Sequence, residues 1–272
     1  MRQAVVKCIA LNMNASPYKK IAFTASRKAD AQAAMDTLIK TYGQSSIEEA
    51  DIIVALGGDG FMLQTLRQHI TVLRKGLPVY GMNQGTIGFL MNDYSEEKLC
   101  KRLEIAEATL IHPLKMTAKT TTKTIEQMAI NEVSLFRQTQ QAAHISVTVD
   151  GKVRLDHLIA DGILLATPAG STAYNLSAHG PVIPLGADIL ALTPISAFRP
   201  RRWRGALLKS NAKVTLKTLD PEKRPLSASA DNLDIRDVLS VTVEQDMETD
   251  LTLLFDPDHG LDEKILREQF GA

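Results

Sequence analysis

"DIIVALGGDGFMLQTLRQHI", residues 51 to 70, runs an apolar segment straight into two glycines, an aspartate, a third glycine and then an amphipathic stretch. A short apolar run that ends in glycine reads as a buried strand, and the longer period after it as a helix. The segment is therefore a strand, a tight turn and a helix in immediate succession. The same alternation continues on both sides, with "KIAFTAS" ahead of "DAQAAMDTLIKTYG" and "LPVYGMN" further along. This is the βαβ pattern, in which crossover helices cover the faces of a mainly parallel sheet. Asp30 is expected to cap the first helix and Gly43 to end it, with Ala31, Ala34, Met35, Leu38 and Ile39 on its apolar stripe. "SEEKLCKRLEIAEATLI" is expected to close this half with a helix begun by Ser95.

Beyond about residue 106 the texture changes to short runs rich in Thr, Val, Ile and Leu. "LKMTAKTT", "AINEVSLF", "HISVTVDGK", "HLIADGILLAT", "AKVTLKT", "LSVTVEQ" and "LTLLF" follow one another with Asp-Gly turns between several of them. Such spacing predicts a mostly antiparallel β domain, with "VDGK" at 149 to 152 as a hairpin turn. The tail "DEKILREQF" returns to helical spacing. The expected organisation is an α/β N-terminal domain over 1–105 and a β-rich, sandwich-like C-terminal domain over 106–258. A C-terminal helix over 259–272 is expected to pack back on the first domain.

Composition narrows the function classes. The 272 residues include 31 Lys+Arg and 31 Asp+Glu, so no net field recruits nucleic acid or anionic lipid to the whole molecule. Hydrophobic residues make up 44%, enough for a real core without staples. The two cysteines, Cys8 and Cys100, lie far apart without metal-ligand spacing, which suits buried thiols in a reducing compartment, with the cytoplasm as default. No stretch approaches the roughly 20 apolar residues of a spanning helix, and no export signal is read at the start. Met13 is a second candidate initiator, and the first dozen residues are expected to be an extension with little structural role. The six histidines show no ligand spacing, so no protein-only metal site is expected. "FRPRRWRG" at 198 to 205 is expected to be a solvated or interface loop, with anion binding second and nucleic acid third.

Two strand ends lined by bare backbone are the first chemical signal. Gly57, Gly58 and Gly60 would let a phosphate approach N–H groups at a helix start. The pattern lacks the Lys-Ser/Thr of a Walker loop and the spacing of a dinucleotide fingerprint. In the second glycine group, "YGMNQGTIGFLMND", Asn83 could donate to a phosphate or stabilise a turn. The densest signal is "DGILLATPAGSTAYNLSAHGP", residues 161 to 181, where a strand leads into hydroxyls, small residues and one aromatic ring, the ingredients of a purine or ribose pocket. A serine-hydrolase reading fails for want of G-x-S-x-G.

"GGDGFML" (57 to 63), "NQGTIGFL" (83 to 90), "AINEVSL" (129 to 135) and the block from 161 to 181, in this order and at these separations, closely resemble the NAD kinase family. GGDG alone is shared with diacylglycerol and sphingosine kinases and with phosphofructokinases. The long T-P-x-G-S-T-A-Y block with its upstream Asn-Glu pair is far more specific. The resemblance implies transfer of a terminal phosphoryl group from ATP or polyphosphate to the 2′-hydroxyl of the adenosine ribose of NAD. It implies Asp59 as general base near that hydroxyl and the three glycines as room for phosphates. Asn131 would meet adenine and Glu132 the ribose, while Thr172, Ala173, Tyr174 and Ser177 complete the pocket. Asp161 would reach the other end of NAD, in its own or a neighbouring subunit, and Asp231 would lie near the nucleotide. The chain departs from the usual family pattern at Phe61, Ala169, His179 and Asn232.

The chemistry fits that likeness. A carboxylate can take the proton of an attacking hydroxyl, and alignment and charge neutralisation supply most of the catalysis in phosphoryl transfer. A divalent cation, Mg²⁺ or another, would screen the donor phosphates from Asp59. The implied assembly is a homodimer or homotetramer with the site shared between subunits and lying between the two domains. Two rivals stand beside this reading: a lipid kinase of the diacylglycerol or sphingosine type, and a non-catalytic NAD(P)-binding regulator.

Overall fold

A computed structural model of the chain describes residues 17–85, 88–257 and 260–270. The expected extension over the first dozen residues, with Cys8 and Met13, lies outside them. The chain divides into two compact units. One holds the described residues up to Ile111 together with Asp250–Arg267, and the other holds His112–Thr249.

In the first unit the strand Ile52–Gly57 is flanked by parallel partners Ile21–Ala25 and Val79–Asn83. Residues Ile52 to Leu56 are completely buried, the pattern of a parallel strand covered on both faces. The sheet continues through Leu251–Phe255, parallel to Val79–Asn83, and ends at Glu107–Ile111 in an antiparallel pairing. The helix Ala29–Tyr42 buries Ala31, Ala34 and Leu38, and Gly43 ends it at φ +81 with its N–H on the Ile39 carbonyl. Asp30 lies inside the first turn rather than at the cap, where its charge still favours the helix N-terminus.

Two expectations are corrected here. The helix expected from Ser95 starts four residues later, spanning Leu99–Ile105; the end of the stretch, Glu107–Ile111, is the edge strand of the sheet. "LTLLF" joins the first sheet and not the β domain, in keeping with the division of the compact units at 111/112 and 249/250. A mostly apolar run of five residues fits either sheet, and its partner strands are more than a hundred residues away.

The second unit is a sandwich of two six-stranded antiparallel sheets. In one the order is Ala206–Lys209, Ile189–Ile195, Gly162–Ala166, Glu132–Arg137, Leu226–Ala230 and Leu233–Ile235. In the other it is Thr124–Ala129, Leu114–Thr120, Val238–Gln245, Val214–Thr218, Ala143–Val149 and Lys152–Ala160. Alternate residues point inward, so Val133, Leu135, Ile163 and Leu165 of one sheet pack with Val147, Leu216 and Val241 of the other. Each such side chain contributes about 1.5–3 kcal/mol through burial. Asp150 and Gly151, at φ +51 and +74, make the tight turn between Ala143–Val149 and Lys152–Ala160 that "VDGK" predicts.

The registers bring three distant segments to one end of the first of these sheets. Ala166 pairs with Glu132, and Ala230 pairs with Val133. The residues just beyond these pairs, Asn131, Thr167 and Asp231, therefore meet there.

Candidate active site

Asp59 opens the helix Asp59–Gln68 directly after the buried strand Ile52–Gly57. Its carboxylate accepts the N–H of Phe89 at 2.8 Å on one oxygen and of Leu90 at 2.9 Å on the other. Each oxygen thus keeps a lone pair for another partner. Burial pushes the carboxyl above its ordinary range, while the two amides and the nearby charge of Lys264 pull the other way. Gly88 makes the close approach possible, since a Cβ there would lie 2.9 Å from Asp59 Oδ1.

The glycines beside Asp59 differ in what requires them. A Cβ on Gly57 would meet the Cβ of Phe61 at 2.8 Å. On Gly58 or Gly60 it would meet nothing within 4 Å, and Gly58 is in ordinary extended backbone. Packing therefore does not demand glycine at 58 or 60. Asn83 spends its carbonyl oxygen on the Gly85 N–H at 3.0 Å, which makes it a turn residue, and Gln84 ties the turn to the Gly57 carbonyl at 2.7 Å.

Lys264 and Asn92 are absent from the residues picked out by motif, yet they organise this loop. Lys264 Nζ donates to the carbonyls of Gly88 at 3.1 Å and Phe89 at 3.3 Å, and also to that of Met91. Buried Asn92 donates to the carbonyls of Gly81 and Leu254 and accepts the N–H of Asp256. Both are set by long-range contacts to the last strand and helix, which no local pattern announces.

In the second unit Asp231 is the organising residue. It sits at φ +51, and its carboxylate accepts the N–H groups of Ile130 and Asn131 at 2.9 Å and of Glu132 at 3.3 Å. Its charge is thus spent on the backbone that presents Asn131 and Glu132. Thr167 locks the same turn from the other side: its hydroxyl donates to the Ile130 carbonyl at 2.8 Å and accepts the Gly170 N–H at 3.0 Å. A Cβ on Gly170 would meet the Asn131 carbonyl oxygen at 2.1 Å, so only glycine fits.

Glu132 and Asn131 are left with side chains to offer. The Glu132 Oε2 is buried without a partner, and the Tyr174 N–H supports the carboxyl group. Burial first, then the charge of Asp231, push Glu132 up to about 8. The Asn131 side-chain amide has no hydrogen-bond partner among the described residues, in contrast to Asn175, which is fully buried. Asn175 Nδ2 donates to the carbonyls of Ser171 and Pro181, and its Oδ1 accepts Thr193 Oγ1 at 2.6 Å. Asn175 therefore holds the loop shape.

Thr172 closes a short 3-10 turn, Ala173 follows it, and Tyr174 and Ser177 begin and end the next helical turn, both exposed. Burial, then the charges of Glu132 and Asp161, push the Tyr174 phenol up, so these three groups share one neighbourhood. Asp161 accepts Arg137 Nε at 2.6 Å in a partly exposed ion pair. The run "FRPRRWRG" is an exposed loop in which Arg199 and Arg201 lie over the Phe198 ring at 5.7 and 5.9 Å.

Comparison with known proteins finds family matches in both parts of the chain. Residues 3–107 match the ATP-NAD kinase N-terminal domain and residues 130–245 the ATP-NAD kinase C-terminal domain. The chain is 56% identical over 253 residues to the NAD kinase of Hyphomonas neptunium, covering 93% of this chain and 98% of that one. It is 54% identical over 254 residues to the NAD kinase of Caulobacter vibrioides, covering 93% and 96%. Its fold resembles yeast NADH kinase complexed with NADH, with TM-score 0.80 at 21% identity over 94% of this chain and 88% of that one. It also resembles an Archaeoglobus fulgidus NAD kinase in complex with ATP, with TM-score 0.71 at 23% identity over 93% and 97%. These similarities lend no support to a lipid kinase. The chain belongs to the NAD kinase family.

Proposed function

We propose that Asp59 is the proton acceptor when this NAD kinase phosphorylates the 2′-hydroxyl of the adenosine ribose of NAD. The observation that carries this reading is the Asp59 carboxylate itself, fixed by two amides beside Gly58 and Gly60, whose bare backbone packing does not require. The ribose oxygen attacks the terminal phosphorus of ATP or polyphosphate, and the bond from that phosphorus to its bridging oxygen breaks. The hydroxyl proton passes to Asp59, and NADP and the shortened donor leave. A carboxyl raised by burial is a better match to a proton leaving near neutral pH than an exposed aspartate.

In the second unit Glu132 and Asn131 take the ribose and adenine, with Thr172, Ala173, Tyr174 and Ser177 around them. Asp231 acts through the backbone, as a positioning residue. Arg137 holds Asp161 ready for the other end of the dinucleotide. Among the described residues no three His, Cys, Asp or Glu side chains gather. The proposal includes a divalent cation such as Mg²⁺ carried mainly by the donor phosphates, where it would neutralise their charge. A homodimer or homotetramer, working in the cytoplasm, completes the proposal; no helix among the described residues is long and apolar enough to cross a membrane.

The direct test supplies purified protein with NAD, Mg²⁺ and either ATP or polyphosphate, and reads NADP with an NADP-specific dehydrogenase. NADP formation that needs the cation supports the reading. Tight NAD binding without turnover on any donor would favour a non-catalytic regulator instead.

A further inference from the structure

The two peptide units that hold Asp59 are the same two that Lys264 grips from behind. The first joins the Gly88 carbonyl to the Phe89 N–H; its oxygen accepts Lys264 Nζ at 3.1 Å and its nitrogen donates to Asp59 at 2.8 Å. The second joins the Phe89 carbonyl to the Leu90 N–H, with 3.3 Å to Lys264 and 2.9 Å to Asp59. A third carbonyl, that of Met91, uses the remaining ammonium proton. The Phe255 ring lies 5.4 Å from Nζ and supports the cation from the strand Leu251–Phe255.

We propose that Lys264, on the C-terminal helix Leu261–Phe270, is a positioning residue for phosphoryl transfer, holding and polarising the two amides that orient Asp59. A cation on a carbonyl oxygen draws electron density along the amide and makes its N–H a stronger donor, by about 10–30% for each bond. Two parallel units act on both carboxylate oxygens and fix the carboxylate against rotation. The proposal rests on the reading of Asp59 as proton acceptor. Phe89 and Leu90 hold Asp59 through backbone N–H groups, and Lys264 is the charged side chain acting on Asp59 among the described residues. Asp262 and Glu263 of the same helix are exposed.

The test combines a carboxyl titration of Asp59 by NMR with pH profiles of turnover for the whole chain. In Lys264→Met, the Asp59 midpoint and the acidic limb of kcat should both move up by about half a pH unit or more, since a nearby positive charge favours the ionised form. kcat should fall about 10-fold while KM for NAD changes less than about 2-fold. Lys264→Arg, which keeps the charge and several donors, should restore both midpoint and limb. Lys264→Gln replaces Lys264→Met, with the same expected direction, if the latter does not fold.

A folded Lys264→Met protein with midpoint and limb in their original places would overturn the proposal. Should Asp59→Asn keep normal turnover, the reading of Asp59 falls, and the titration midpoint still decides whether Lys264 tunes that carboxylate.

Discussion

Asp231 and Glu132 are neighbouring carboxylates with opposite fates: Asp231 spends both oxygens on the amides of residues 130 to 132, whereas Glu132 Oε2 is buried with no partner. One carboxylate therefore builds the turn and the other waits in it. A buried acceptor without a donor costs the free protein stability, and a ligand hydroxyl group would repay that cost.

The sign of the resulting pH effect follows from linkage. Glu132 titrates near 8 in the folded chain and near an ordinary 4.5 when unfolded. Between these values the folded state keeps a proton that the unfolded state has lost, so stability is full below about 4.5 and declines as pH rises to about 8. Glu132→Gln mimics the protonated form. Without NAD it should melt within about 1 °C of the parent at pH 5 and at least about 2 °C above it at pH 8.5. Thermal melts at the two pH values check this, and parallel curves would contradict it.

Asp231→Asn tests the positioning role. Asparagine tolerates the left-handed backbone at φ +51 but keeps only one acceptor oxygen for three amides. A loss of about 1–3 kcal/mol is expected in urea unfolding. In steady-state assays KM for NAD should rise about 10-fold, with kcat changed less than about 3-fold. An unchanged KM would show that the 130 to 132 turn does not depend on this carboxylate.

The glycines provide an internal contrast. Gly58→Ala and Gly60→Ala add a methyl group into open space, so Tm should hold, and at Gly60 within the helix it should rise slightly. If bare backbone admits the donor phosphates, kcat/KM for ATP should nevertheless fall about 10-fold or more in both. Gly170→Ala collides with the Asn131 carbonyl and should lose stability and NAD binding together. Full activity in the first two variants would remove the phosphate-approach role.

Much of this was legible in the chain. The run from Asp51 to Ile70 carries its own strand, turn and helix, and the alternation of Val, Thr and Leu beyond residue 112 carries its own sheets, because both signals are local. The strand Leu251–Phe255 reads as part of the wrong sheet because four apolar residues and a threonine do not say which partner they pair with. The block from 161 to 181 reads as pocket material from its residue types, while Asn131 and Glu132 enter only through the family resemblance. What escaped was the support behind them. Lys264 looks like one more charge on a surface helix until folding brings it to the carbonyls of residues 88 to 91. The backbone amides that Asp231 accepts and the Arg137 partner of Asp161 are likewise long-range contacts that no local pattern announces.

The role of Asp59 is tested most directly by Asp59→Asn, measured for kcat with saturating NAD, ATP and Mg²⁺ and for NAD affinity by calorimetry. The amide keeps the side chain's size but cannot take the ribose proton, so kcat should fall about 100-fold or more while the NAD dissociation constant stays within about 3-fold. Turnover near the parent's in a variant that still binds NAD would contradict Asp59 as the proton acceptor.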